Sequence, residues 1–203
     1  MPSIVLTADA RNRLANNLQT AVQYYNQSCS RELIDGTQFG VDKSTIRAFH
    51  KFNRPLATFN LWARNRIPEL IGGLNFSTEQ DFDISYERLA ISLDTAFNPN
   101  VLLPYQRHKL IDLFLKWASH LEEIPFATRH WIVNFGYCPL DSYSLGLMRD
   151  VAPGTVLNNE EPRMSVITSE AAYRYVQEII REICEQIPCR PLHFDHIAWN
   201  AVH

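Results

Sequence analysis

The chain has 203 residues, 46% of them apolar, and a formal net charge of −3. That length suits one large domain or two small ones, and the apolar share is that of an ordinary globular protein. No apolar run approaches the roughly 18–20 residues that cross a membrane, and the start, MPSIVLTADARNR, lacks the pattern of a secretory signal.

The four cysteines, Cys29, Cys138, Cys184 and Cys189, form no CxxC pair. A chain this long does not need disulfide staples, so reduced thiols and a cytoplasmic location are expected. Charge is unevenly spread along the sequence. Residues 1–75 carry nine Lys/Arg against five Asp/Glu, a balance of +4, which leaves −7 for the remainder. A basic first third before an acidic remainder suits a DNA-binding head on a body that does not bind DNA.

Thr7 is placed to cap a first helix, in which Ala10, Leu14, Leu18, Ala21, Val22 and Tyr25 recur on one stripe. Ser28 or Ser30 can cap the next. The stretch from Glu32 to Lys51, ELIDGTQFGVDKSTIRAFHK, then reads as helix, tight turn and second helix. Phe39 ends the first of these and Gly40 makes the turn, because glycine accepts positive φ at no steric cost. Asp42 suits the start of the second helix, where a carboxylate accepts from free N–H groups. Val41, Ile46 and Phe49 make its buried side. Lys43, Ser44, Arg47, His50 and Lys51 make the opposite, cationic side.

This pattern resembles the helix-turn-helix of lambda-repressor-like domains in bacterial and phage repressors. The resemblance lies in Gly36, Phe39, Gly40, Val41, Ile46 and Phe49. It continues through Asn53-Arg54-Pro55-Leu56 to Phe59, Trp62 and Ala63, and so covers about the first third of the chain. One departure is Asp35, where the family has an apolar residue. The resemblance implies a recognition helix in the major groove of double-stranded DNA. Lys43 and Arg47 would read base edges, while Ser44, Lys51 and Arg54 would hold phosphates and His50 would share the face.

After the loop at Phe52–Pro55, Leu56, Phe59, Trp62 and Ala63 mark a further helix, which Pro68 is expected to interrupt and Gly72-Gly73 to end. The polar, acidic stretch Asn75–Asp83 is the expected boundary between head and body. Tyr86, Leu89, Ala90, Leu93, Ala96 and Phe97 give the next helix, stopped by Asn98-Pro99-Asn100. Pro104 opens a long helix bearing Leu110, Phe114, Trp117, Leu121 and Ile124, ended by Pro125. Phe126–Phe135 is another, with Gly136 as its stop. Asp141 caps a short helix through Met148. PGTVLNNEEPR is the longest irregular segment, and Met164–Ile167 reads as a short extended piece. Thr168 starts an amphipathic helix with Ala172, Val176, Ile179, Ile180, Ile183 and Ile187. HFDHIAWNAVH supplies one or two final turns.

Several constellations carry residue types suited to chemistry. His193, Asp195, His196 and His203 crowd the end of the chain, but His193 and His196 lack a third well-spaced metal ligand. His108, His120 (with Glu123) and His130 lie on or near the long helix and its successor, where surface histidines are common. Cys138 beside Pro139 is a candidate nucleophile, with a buried structural thiol as the plainer reading. No Walker loop, GxGxxG, GxSxG or HExxH occurs. No catalytic residue, metal or cofactor is therefore assigned.

The sequence thus predicts an all-α protein with a helix-turn-helix domain over 1–75 and a helical bundle over 76–203. The expected role is a sequence-specific DNA-binding transcriptional regulator. Its site residues are Lys43, Ser44, Arg47, His50, Lys51 and Arg54. The expected partners are double-stranded DNA, a second copy in a homodimer, and a small-molecule or protein effector, with no membrane. The rival readings are a nucleic-acid or small-molecule enzyme centred on His130, Cys138 and Asp141, and a helical interaction module.

Overall fold

A computed structural model describes residues 4–28, 39–47, 49, 51–72, 78–98, 102–154 and 161–202. Among them the fold is all-α. The helices are α1 (Ala8–Asn26), α2 (Lys43–Arg47), α3 (Pro55–Ile71), α4 (Glu79–Ala96) and α5 (Pro104–Ala118). They continue with α6 (Phe126–Phe135), α7 (Ser142–Val151), α8 (Glu170–Gln186) and α9 (Pro191–Asn200). No described helix is long and apolar enough to cross a membrane. Asp35, Gly36, His50, the Lys43 side chain and the expected helix before Phe39 lie outside the described residues.

The chain divides into two compact units, residues 28–136 and a second unit made of 1–27 with 137–203. The expected cut at 75 runs elsewhere. It parts α3 from α4, which pack together, and leaves α1 with residues 28–75, although α1 packs on α9. Charge shows the same difference. Residues 28–136 hold 12 Lys/Arg and 12 Asp/Glu, and the other unit holds 7 and 10. The basic first third is a property of the linear sequence, not of a compact unit.

In residues 28–136, α4 packs on α3, α5 and α6. Its start lies in the stretch expected to be a linker. Thr78 accepts from the Asp81 N–H (3.2 Å) and Asp81 accepts from the Thr78 N–H (2.9 Å), a reciprocal cap. Phe82 in the next turn is buried. The acids at 79, 81 and 83 are therefore the favoured first turns of a helix.

Pro68 does not interrupt α3, which continues to Ile71. Proline removes the bond to the carbonyl four residues back, on Arg64, and Arg64 is exposed, so water can serve that group. The expected long helix ends earlier, at Ala118, and Leu121 and Ile124 are buried in the turn after it.

The core of this unit is a chain of rings. Phe39 meets Trp117 edge-on (5.2 Å), Trp117 stacks with Phe114 (6.1 Å), Phe114 meets Trp62 (5.1 Å), and Trp62 lies 5.7 Å from Phe59. Trp62 also needs a partner for its N–H, and it donates to Ser92 Oγ at 2.8 Å. Arg107 of α5 pairs with Asp94 of α4 at 2.7 Å.

In the other unit, α9 packs on α1, α7 and α8. The stripe Val176, Ile179, Ile180, Ile183 and Ile187 is core, buried within the chain. The segment before α1 is tied to α8, since the Ile4 and Leu6 N–H groups donate to Glu182 (3.2 Å) and Gln186 (2.9 Å). The expected final turns are a helix of ten residues. Met164–Val166 forms a single 3₁₀ turn rather than an extended piece.

Gly40 is a close approach within residues 28–136. Its φ is +82°, and a β-carbon there would collide with the Leu113 carbonyl and lie 2.8 Å from Trp117 Cβ. Gly40→Ala is expected to cost more than about 2 kcal/mol, from left-handed strain plus displacement of the turn from α5. Chemical denaturation followed by circular dichroism checks this; a loss under about 0.5 kcal/mol would contradict it.

Candidate nucleic-acid interface

The turn before α2 has two successive left-handed residues, Phe39 (φ 55°) and Gly40 (φ 82°). A bulky residue is strained there. Contact holds it in place, because Trp117 meets the Phe39 ring and the Arg64 guanidinium lies 5.9 Å over it. Arg64 is exposed and still lays its guanidinium over this ring.

Asp42 then caps α2. Its carboxylate accepts from the Thr45 N–H (2.6 Å) and from the Ser44 hydroxyl (2.8 Å). Burial pushes the Asp42 carboxyl up, but the Thr45 N–H, the Ser44 and Thr45 hydroxyls and the Lys109 ammonium together hold it below the usual range.

Five residues make α2, a rise of about 7.5 Å. The expected helix through Lys51 is thus shorter, and turn bonds follow it. Phe49 N–H donates to the Ile46 carbonyl, and Phe52 N–H to the Phe49 carbonyl, both at 2.9 Å. Val41 and Phe49 are buried as expected, but Ile46 is only half-buried. Phe52 completes the inner side, against Phe49 (6.0 Å) and Phe97 (5.9 Å).

The outer side carries most of the site residues. Ser44, Arg47, Lys51 and Arg54 are exposed. Lys43 and Arg47 open and close α2 at a spacing of four, so their backbone positions share a face. Lys51 and Arg54 lie in the turn that leads into α3, with Arg54 as its N-terminal boundary at φ 48°. Ser44 differs from its expected role, since its proton is given to Asp42. A hydroxyl has only one proton, so this one braces the cap and does not donate outward.

The residues weighed as a catalytic centre are placed otherwise. Asp141 caps α7, accepting from the Tyr143 (2.8 Å) and Ser144 (3.0 Å) N–H groups. Cys138 is buried, and Gln177 clamps its backbone from both sides, accepting from its N–H (3.0 Å) and donating to its carbonyl (2.8 Å). His130 is exposed on α6, in the other compact unit.

His108 and His120 are buried rather than on the surface. His108 belongs to a polar group that the sequence reading missed. The Tyr86 hydroxyl donates to Asp112 Oδ1 (2.7 Å) and stands 2.9 Å from His108 Nδ1, with the two rings stacked at 5.6 Å. With the Tyr86 hydroxyl proton directed at Asp112, the remaining bond has His108 Nδ1–H donating to the Tyr86 oxygen. The spacing of His108 and Asp112, four apart beneath an apolar helix face, was the available signal.

At the end of the chain, His193 and Asp195 are buried and His196 stacks on Tyr24 at 4.4 Å. Burial first, then the charges of Arg190 and His196, lower the His193 imidazole to about 4. Its Nδ1 accepts the Arg190 N–H (3.2 Å), which a neutral ring can do. Burial and the nearby Asp195 raise the Tyr25 phenol. Among the described residues no group of three His, Cys, Asp or Glu is placed to hold a metal ion. Comparison of the chain with protein-family models, with curated proteins and with solved structures finds no match.

The His193 shift makes stability depend on pH. The folded value lies below the unfolded one of about 6.5, so the unfolded chain takes up the proton first. The contribution is complete above about pH 6.5 and is lost as pH falls toward 4. About 2 kcal/mol should disappear by pH 4.5 after allowance for partial solvation. His193→Gln should flatten that part of the profile in urea titrations between pH 7 and 4.5; an unchanged slope would refute the assignment.

Proposed function

We propose that the protein is a sequence-specific, double-stranded DNA-binding regulator of bacterial or phage type that contacts DNA through residues 39–54. One observation carries this reading: the Asp42-capped α2 and the turn after it bury Val41 and Phe49 and leave Arg47, Lys51 and Arg54 exposed together.

A helix of this length brings few side chains to base edges. Arg47 is the reader on the exposed side, with Lys43 beside it in sequence register. An arginine pairs best with guanine O6 and N7. Lys51 and Arg54, on irregular backbone beyond the helix, serve as phosphate contacts that set orientation. So small a base-reading surface favours a twofold pair, in which two copies double the number of bases read. A regulator of this kind works in the cytoplasm, where the buried thiols of Cys138, Cys184 and Cys189 stay reduced.

The test is a titration of genomic fragments, including those flanking the protein's own gene, at several salt concentrations. Arg47→Ala should cost about 1–3 kcal/mol on the preferred site and relax preference at one base pair. Lys51→Ala should weaken all sequences alike and lower the salt slope by about one. Both side chains are exposed, so folding stability should stay within about 0.5 kcal/mol. Variants that bind like the parent would end this reading.

A further inference from the structure

Phe126 opens α6 and is 74% exposed, more than any other described aromatic ring. A single exposed apolar side chain calls for no explanation. This one has company. His130, four residues on, stacks with it at 5.8 Å and 23°. The Arg129 guanidinium carbon lies 5.9 Å from the same ring centroid. Arg129 Nε is sheltered and has no hydrogen-bond partner among the described residues. Exposed Phe126 and His130, with half-buried Arg129 between them, form one aromatic and cationic surface, and α6 carries no acid.

We propose that Phe126, Arg129 and His130 form a stacking platform for an unpaired base of single-stranded nucleic acid. The proposal rests on the reading of the protein as a nucleic-acid binder and adds a contact of a different kind. A base has an apolar π-face that an exposed phenyl ring can cover, whatever the base. A guanidinium beside the ring adds cation–π attraction and donors for base edges or a phosphate. A peptide or lipid partner fits less well. An acyl chain wants a broader apolar area, and an acidic peptide would meet Glu122 and Glu123, exposed just before α6. Those two acids also oppose phosphates. The platform therefore holds its ligand mainly through the base.

That division sets the test. The full chain is titrated, by fluorescence anisotropy, with labelled oligo-dT of about 20 nucleotides and with a duplex of equal length. Phe126→Ala should raise the Kd for oligo-dT by about 5- to 100-fold with an unchanged salt slope. Phe126→Trp should retain binding. Arg129→Gln should lower the slope by about 0.7. Phe126→Ala, an exposed change, should keep its melting temperature within about 2 °C.

Oligo-dT binding by Phe126→Ala equal to that of the parent overturns the platform. If the parent binds oligo-dT through Phe126 but no duplex, the platform stands and the duplex reading falls. If it binds duplex through Arg47 but no oligo-dT, the platform falls alone. Binding to neither overturns both.

Discussion

The missing β-carbon at Gly40 is the constraint on which the described part of residues 28–136 depends. There the chain between Phe39 and α2 lies against the backbone of α5, with the Leu113 carbonyl and Trp117 filling the space a side chain would take. That approach brings Phe39 to Trp117, and Trp117 begins the line of rings through Phe114 and Trp62 to Phe59. The turn is thus part of the core as much as a connection. Two left-handed residues in succession are tolerated because packing over-determines them. Where α2 points, and so which side chains face outward, follows from this seat.

The other unit is organised by polar side chains that complete backbone needs inside a core. Gln177 on α8 occupies both backbone groups of Cys138, which stands where Pro139 offers no N–H of its own. His193 serves the first turn of α9 by accepting the Arg190 N–H. Each replaces a hydrogen bond that water would otherwise make, and burial of either one without its partner would cost about 1–3 kcal/mol.

Helices with a clean stripe and a marked start were legible in the sequence. Thr7, Asp141 and Gly136 mark ends where the structure has them, and α6 runs over Phe126–Phe135 as expected. What failed depended on surroundings that a linear pattern does not contain. Pro68 looked like a stop because it lacks an N–H, but the cost turns on whether the Arg64 carbonyl meets water. The acids near position 80 read as a linker, though the same residues suit a helix N-terminus, and Phe76 and Phe82 were the hints in the sequence that it packs. Summing charge along residues 1–75 could not reveal that α1 packs on α9. In the candidate interface, burial of Val41 and Phe49 was legible from their types. The brevity of α2, the half-exposure of Ile46 and the engagement of Ser44 with Asp42 were not, because each follows from where the turn is seated.

The interleaving of the two units has a consequence for how the chain is made. Helix α1 leaves the ribosome before the other described helices, yet the surface it covers on α9 lies more than 150 residues later in the sequence. At about 5–20 residues per second, α1 waits roughly 10–30 s for that partner. Residues 28–136 emerge whole in the meantime and can close on themselves. Until α9 arrives, Leu14, Ala21 and Tyr25, all buried in the finished fold, face water. A lone helix draws most of its stability from packing of its apolar face, so this segment stays open to chaperones and proteases until α9 arrives.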